Sequence, residues 1–508
     1  MFVALSAAFA VEASDTVRVI VKYKHMPSAA LASKAKAFVS RPWMYRVKQE
    51  LREQNALAID LPASDVAALK ADRDVDYVEP DAKRYPMALT SASAAPYKTG
   101  QKVPYGIKLI QADRLPRMDA NAGNRKICII DSGYDRNHED LAANNVTGVN
   151  DPSTGNWYDD GYYHGTHIAG TIAAVNNSGI GVVGVLPNRK IKLFIVKVFD
   201  ENGDFTYSSS IVAAANKCAN NGAKVINLSL GGPDATTTEK NAFANLLSKG
   251  IVSVAAAGND GNTALSYPAS YPSVISVAAV NQYEQWASFS QYNGAVDLAA
   301  PGVQVYSAVP MGTARTSRVN VGGTAYPSFP MDGSPAKAAK ARLYNFGLGD
   351  KVRTGASGQI CLIKRGNIEF RVKVRNCERS GGIGAIVYNN VSGSFQGTLG
   401  TTVTSIPSVS VSDSVGLLLK SQIGSMTNVA VKTANYDYFT GTSMSTPHVS
   451  AVAALVWSYY PACSATQIRT ALFTTALDLG TGGRDNKTGY GLVQAKAAYN
   501  YLRNGCNG

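Results

Sequence analysis

The 508 residues suffice for two to four domains, and 45% apolar with 17% charged residues is the balance of an ordinary globular protein. No apolar run is long enough to span a bilayer, which excludes a membrane-spanning helix. The net charge of +13 is uneven: residues 311–435 hold 15 Lys and Arg against 5 Asp and Glu, and the remainder is nearly neutral. The basic residues of that segment are not interleaved with stacking aromatics, which argues against nucleic acid as a partner.

Met1 to Ala10 is apolar and ends in Ala8-Phe9-Ala10, a cleavage-like pattern without the basic stretch that opens an export signal. Residues 1–13 are therefore expected to be the remnant of such a signal. Thr16 to Tyr23 alternates apolar and polar residues and predicts a strand with one buried face. Ala29 to Phe38 and Pro62 to Lys70 read as helices, and Asn55 to Asp60 and Asp76 to Pro80 as strands, giving a small α+β unit over residues 14–85. Ala82 to Gln101, with Pro86, Pro96 and a Ser/Ala-rich tract, reads as loop, so residues 86–100 are expected to be a linker open to proteolysis.

A larger unit follows over residues 101–310 and 436–508. Lys126 to Ile130 is a continuous apolar run, the pattern of a central parallel strand, and it ends in Asp131-Ser132-Gly133. His164-Gly165-Thr166-His167 leads into a helix of small residues. Lys192 to Val198, Val225 to Leu230 and Ile251 to Ala256 read as further strands separated by helices, which predicts a doubly wound, mostly parallel sheet of the α/β class. The last of these runs into Ala257-Gly258-Asn259. Near the C-terminus, Gly441-Thr442-Ser443 precedes a small and apolar run from Val449 to Trp457 that reads as a buried helix, with Pro447 expected near its first turn. A serine at a helix N-terminus sits where backbone N–H groups favour a developing negative charge. Singly, Asp131, His164, Asn259 and Ser443 each have a structural explanation as a cap, core histidine or turn residue. Together, at strand and helix ends of one sheet, they make the set required to activate a serine.

These motifs, with Asn227-Leu228-Ser229-Leu230-Gly231-Gly232-Pro233, resemble those of the subtilisin-like serine proteases (subtilases), over roughly residues 100–310 and 436–500. The resemblance implies a secreted serine endopeptidase made as a self-processing zymogen and expected to be monomeric. Asp131, His164 and Ser443 would be its triad, Asn259 its oxyanion donor, and no catalytic cofactor is implied. Residues 14–85 resemble the inhibitor-like propeptide of the family, a partner that inhibits and aids folding, and the family pattern puts the first cut near Met87. Ser229, Leu230 and Gly231 resemble one edge of the substrate cleft, with Ala256, Ala257 and Gly258 as the other wall of the P1 pocket. Gly203, Asp204 and Phe205 resemble the opposing edge, Phe205 standing where the family usually has a small residue. An extended peptide substrate would lie between the edges as an added strand. Gln101, Asp140 and Asn177, with the carbonyls of Val175, Ile180 and Val182, correspond to a structural Ca²⁺ site. His25, His138, His167 and His448 match no catalytic position.

Residues 311–435 interrupt this unit. Gly358 to Ile363 and Ala385 to Tyr388 read as strands and Phe370 to Ser380 as a helix, and the segment resembles a protease-associated domain, a β-rich α+β insertion. Six Lys and Arg lie between Lys364 and Arg379, so the insert is expected either to attract acidic partners or to serve as a basic spacer. Cys361 with Cys377 and Cys463 with Cys506 are expected to pair, as in an exported protein; Cys128 and Cys218 fit either a bond or two buried thiols. Broad specificity is expected, with a narrow processing protease and a silent binding protein of the same fold as alternatives.

Overall fold

A computed structural model describes residues 16–25, 46–87, 100–116, 118–119, 122–177 and 179–507. The export-signal remnant expected at residues 1–13, the helix expected at Ala29 to Phe38 and residues 88–99 lie outside these residues.

The N-terminal unit is an antiparallel sheet of β1 (Thr16–Tyr23), β2 (Arg46–Leu51), β3 (Ala56–Pro62) and β4 (Val75–Pro80), ordered β2-β3-β1-β4. β1 reads in the sequence as a strand with one buried face, but it is covered on both sides, because the larger unit packs on the face away from the unit's own core. Val19 and Val21 enter the unit's own core with Leu57, Ile59 and Leu69. Ile20 faces the other way and packs, with Leu51, Ala56 and Ala58, on Val212, Ala213 and Ala242 of the larger unit. Beyond it, β5 (Lys83–Pro86) is a strand, although this stretch reads as loop in the sequence. Its four residues carry no alternation; the partner strands impose the extended form.

The larger unit is built on β6 (Ile127–Asp131), β7 (Asn145–Asn150), β8 (Lys192–Lys197), β10 (Val225–Leu228), β12 (Val252–Ala256), β13 (Val274–Val280) and β14 (Leu298–Pro301), with the short β9 (Thr206–Tyr207) and β11 (Leu230–Gly231) outside this sheet. The order is β14-β13-β12-β10-β6-β8-β7, and every pairing is parallel. Both faces are covered, so a strand without polar alternation is what the position demands. Ile127 and Ile129 join α1 (His164–Ala173) and α4 (Thr442–Tyr459) in one layer. Cys128 and Ile130 join α2 (Ser208–Asn220) and α3 (Thr237–Ser248) in the other. Cys128 bonds to Cys218 of α2, which settles the open pair and straps that helix to the central strand.

The insert leaves after β15 (Val305–Ala308) and returns through β16 (Tyr436–Phe439), which pair antiparallel with each other. Between them, eight strands form one sheet that includes Ala314–Val321, Ala338–Gly347, Ile360–Lys364, Gly384–Tyr388 and Met426–Ala434. The helix Phe370–Arg379 covers it, tied by Cys361–Cys377. Lys373 is not part of a solvated basic face: it is buried, with Nζ donating to the Leu348 and Lys364 carbonyls. The third disulfide is Cys463–Cys506.

Candidate active site

Asp131 is the last residue of β6 and His164 the first of α1, so a parallel strand and the helix over it deliver both to one edge of the sheet. His164 Nδ1 lies 2.7 Å from Asp131 Oδ1, and both side chains are fully buried. His164 Nε2 and Asp131 Oδ2 have no hydrogen-bond partner among the described residues. Behind the pair stands Asp160, which the motifs did not flag. Its Oδ1 accepts from Ser132 Oγ at 2.8 Å, and its Oδ2 accepts from Thr166 N at 2.7 Å and Thr166 Oγ1 at 2.6 Å. Burial raises its carboxyl pKa above the ordinary range. Ser132 Oγ in turn accepts from Gly165 N at 2.9 Å, so this network ties the start of the histidine's helix to the end of the aspartate's strand.

Ser443 is the second residue of α4, and its hydroxyl points to Met444 Sδ at 3.3 Å. Pro447 sits further into the helix than the sequence reading put it. A proline there has no N–H to offer the carbonyl four residues back. That carbonyl belongs to Ser443, and it accepts from Ser229 Oγ at 2.8 Å instead. Pro447 and Ser229 thus bind the serine's turn to the end of β10. Asn259 Oδ1 accepts from Thr442 N at 2.9 Å and Thr442 Oγ1 at 2.9 Å, which aims the amide nitrogen outward. Gly441 has φ +153°, and a Cβ there would come 2.8 Å from Met87 O, 3.0 Å from Ser443 Oγ and 3.2 Å from Asn259 Nδ2. Only glycine lets these three atoms crowd one point.

Met87 belongs to the N-terminal segment. β5 lies in the cleft, antiparallel to β11 on one side and to β9 on the other. Leu230 pairs with Pro86 and Gly231 with Tyr85, while Met87 N donates to Ser229 O at 3.2 Å. Asn259 Nδ2 donates to Met87 O at 2.8 Å. A Cβ on Gly231 would lie 2.5 Å from Met87 Cε, so the Met87 side chain runs over this glycine. Met87 lines a cavity of about 350 Å³ together with Gly232, Asp260, Ala264 and Leu265. Ala264 to Ser266 were not anticipated as lining; Ala256, Ala257 and Gly258 are buried at the end of β12. On the opposing edge the ladder uses Thr206 and Tyr207, just past Gly203, Asp204 and Phe205. Gly203 takes φ +72° against the Tyr162 ring, Asp204 N donates to Asp200, and the Phe205 ring lies 3.8 Å under Lys83 Nζ.

Carboxylates hold the segment down. Glu79 accepts from the N–H groups of Thr237 and Thr238, at the start of α3. Asp81 accepts from Ser209 N, Ser208 Oγ and Ser209 Oγ, at the start of α2. Each places a negative charge on the positive end of a helix.

Away from the cleft, Gln101 Nε2 donates to Val175 O at 3.1 Å, Asn177 Oδ1 at 3.0 Å and Val182 O at 3.4 Å. Asp140 accepts from Asn177 Nδ2 at 2.6 Å and Val182 N at 2.7 Å, and Ile180 N reaches Asn177 Oδ1 at 3.4 Å. Three oxygens converging on one electropositive group, with a carboxylate beside them, is a donor set that fits a hard divalent cation. His138, His167 and His448 are buried, with ring nitrogens on the carbonyls of Asn435, Val305 and Met444.

Comparison with known proteins agrees with this geometry. Residues 123–331 and 411–491 match the subtilase family, and residues 323–419 match the PA domain. Subtilisin E of Bacillus subtilis (strain 168) is 41% identical over 315 residues, covering 61% of this chain and 77% of that relative. A subtilisin of Bacillus pumilus is 47% identical over 219 residues, 42% of this chain and 77% of the relative. The crystal structure of the psychrophilic subtilisin-like protease Apa1 from Pseudoalteromonas sp. AS-11 superposes with a TM-score of 0.61 at 44% identity, over 80% of this chain and 99% of that one. Matched over more than half its length, the chain belongs to the subtilase family: it is a subtilisin-like serine endopeptidase carrying an inserted PA domain.

Proposed function

We propose that the protein is a secreted zymogen whose N-terminal unit, through Met87, is both inhibitor and first substrate. The observation that carries this is the Met87 carbonyl, held 2.8 Å from Asn259 Nδ2 beside the Ser443 hydroxyl by a strand paired on both sides. Ser443 Oγ attacks the Met87 carbonyl carbon. His164, free at Nε2, takes the hydroxyl proton and passes it to the departing amine of Ala88. Asp131 holds the imidazole tautomer and stabilises the imidazolium. The Asn259 amide, with the Ser443 N–H, receives the charge that develops on the carbonyl oxygen. Water then hydrolyses the acyl-enzyme. The severed strand keeps its ladder bonds and its two helix caps, so it leaves slowly and inhibits until it does. Mature enzyme takes peptide segments of other proteins in the same place.

Asp140, Asn177 and Gln101 with the Val175, Ile180 and Val182 carbonyls would hold Ca²⁺, which would stiffen the loop and take no part in the chemistry. Three disulfides in one chain suit an extracellular setting. The test is Ser443→Ala in the full chain. It is expected to accumulate a folded precursor without peptidase activity, whereas the parent, analysed early in maturation, yields a new N-terminus at Ala88. Casein cleavage by purified Ser443→Ala protein would overturn the reading.

A further inference from the structure

Within β5, three residues before Met87, Arg84 is wholly buried. Its guanidinium meets Glu239 side-on, Nε donating to Oε1 at 3.1 Å and Nη2 to Oε2 at 2.5 Å. Nη2 also donates to Asp234 O at 3.0 Å, and Nη1 to Lys83 O at 2.8 Å. Both side chains of the pair are 0% exposed. The ordinary use of a Glu in the first turn of a helix would be to bond back to the N-cap backbone. Here the N-cap is Thr236, whose side chain accepts from Glu239 N, but the Thr236 N–H goes to the Tyr271 hydroxyl. The Glu239 carboxylate is thus withdrawn from capping and turned to the strand, with Tyr271 OH 2.9 Å from Oε2. Gly232 completes the arrangement, since a Cβ there would lie 2.3 Å from Lys83 O and 3.3 Å from Arg84 Nη1.

We propose that Glu239 makes the fourth subsite of this cleft a guanidinium pocket, so that the mature enzyme selects protein substrates with Arg four positions before the cut, Met87 occupying the first. This rests on the reading of Met87 as the residue at the cleaved bond. When the N-terminal unit departs, a carboxylate that this strand covers loses its charge partner, and a substrate Arg restores both the charge pair and the two-pronged hydrogen bond. Lys presents a point charge without the fork and fits less well. A neutral side chain leaves Glu239 with the Tyr271 hydroxyl but without a charge partner, and a site built for a polar group discriminates against its absence.

The test uses mature enzyme and a synthetic peptide of residues 83–90, Lys-Arg-Tyr-Pro-Met-Ala-Leu-Thr, with versions carrying Lys, Gln or norleucine in place of Arg84. The proposal expects kcat/KM for the Arg peptide to exceed that for the Gln and norleucine peptides by about tenfold or more, with Lys between, all cut after Met by mass spectrometry. Glu239→Gln should bring the Arg-to-Gln ratio towards one. Because the parent enzyme alone gives the peptide ranking, the test survives a variant that fails to mature. Equal rates for all four peptides, cut after Met, would overturn the guanidinium pocket and leave Arg84 as an anchor of the precursor only. Cleavage of these peptides elsewhere, or none by enzyme active on casein, would overturn the Met87 reading and the pocket with it.

Discussion

His167 and His448 are each packed without access to water, and burial lowers their pKa values from 6.5 to about 3 and about 4. An unfolded chain takes up these protons as pH falls below 6.5, while the native state refuses them until far lower. Their contribution to stability is therefore complete above pH 6.5 and drains as pH falls towards 4 and then 3, at up to ~1.4 kcal/mol per pH unit for each histidine. Denaturant midpoints of the inactive Ser443→Ala protein are expected to show this slope between about pH 6 and about pH 4.5, and His448→Gln is expected to remove roughly half of it. A flat profile in that window would contradict the assignment. The residues proposed to carry the chemistry were legible in the sequence because each lies in a short motif whose turn chemistry is local, such as Asp131-Ser132-Gly133, Ala257-Gly258-Asn259 and Gly441-Thr442-Ser443. Asp160 and Glu239 were not. One is an unremarkable loop acid and the other a helix first-turn acid until the fold sets Ser132 and Arg84 against them.

At the scale of the element, β6 and β1 were readable because burial on both faces or on alternate residues leaves a periodic trace. β5 was not, because Lys-Arg-Tyr-Pro is made a strand by β11 and β9 rather than by its own pattern. Its docking is expected to depend on the helix caps before it. A separately prepared segment of residues 16–87 should inhibit the mature enzyme in trans, and Asp81→Ala, which strips the start of α2 of its acceptor, should weaken that inhibition about tenfold or more. Equal inhibition constants would show that the ladder alone holds the strand. The 175–182 loop gives a second prediction at this scale. Excess chelator should lower the thermal midpoint of mature enzyme, added Ca²⁺ should restore it by mass action, and Asp140→Ala should abolish most of the response. A midpoint indifferent to chelator would rule out the ion.

At the scale of the whole molecule, the insert stands next to the reaction edge: Tyr163, adjacent to His164, lines a cavity of about 680 Å³ together with Arg315, Asp332 and Thr402 of the insert. The helix Phe370–Arg379 of the insert exposes Arg371, Arg375 and Arg379, while Lys373 is spent inside. Changing those three arginines to Gln is expected to slow cleavage of a large acidic protein at low salt and to leave a short neutral peptide unaffected, since exposed charges act through a field that salt screens. Equal rates on both substrates would leave the insert as a spacer. The segment was legible in the sequence over residues 311–435, a wider span than the PA match at residues 323–419, and the sheet takes in Ala314–Val321 and Met426–Ala434 on either side of that match. Its ends are set by the paired β15 and β16, with Val309 N on Asn435 O at their outer end. To the protease the whole insertion is the tip of a hairpin, and a hairpin can carry a long excursion at little more entropic cost than a short one, because closure grows only with the logarithm of loop length. Architecturally, then, the insertion stands on a two-stranded stalk: its two ends already meet, so the path of the protease chain on either side does not depend on how long the excursion is.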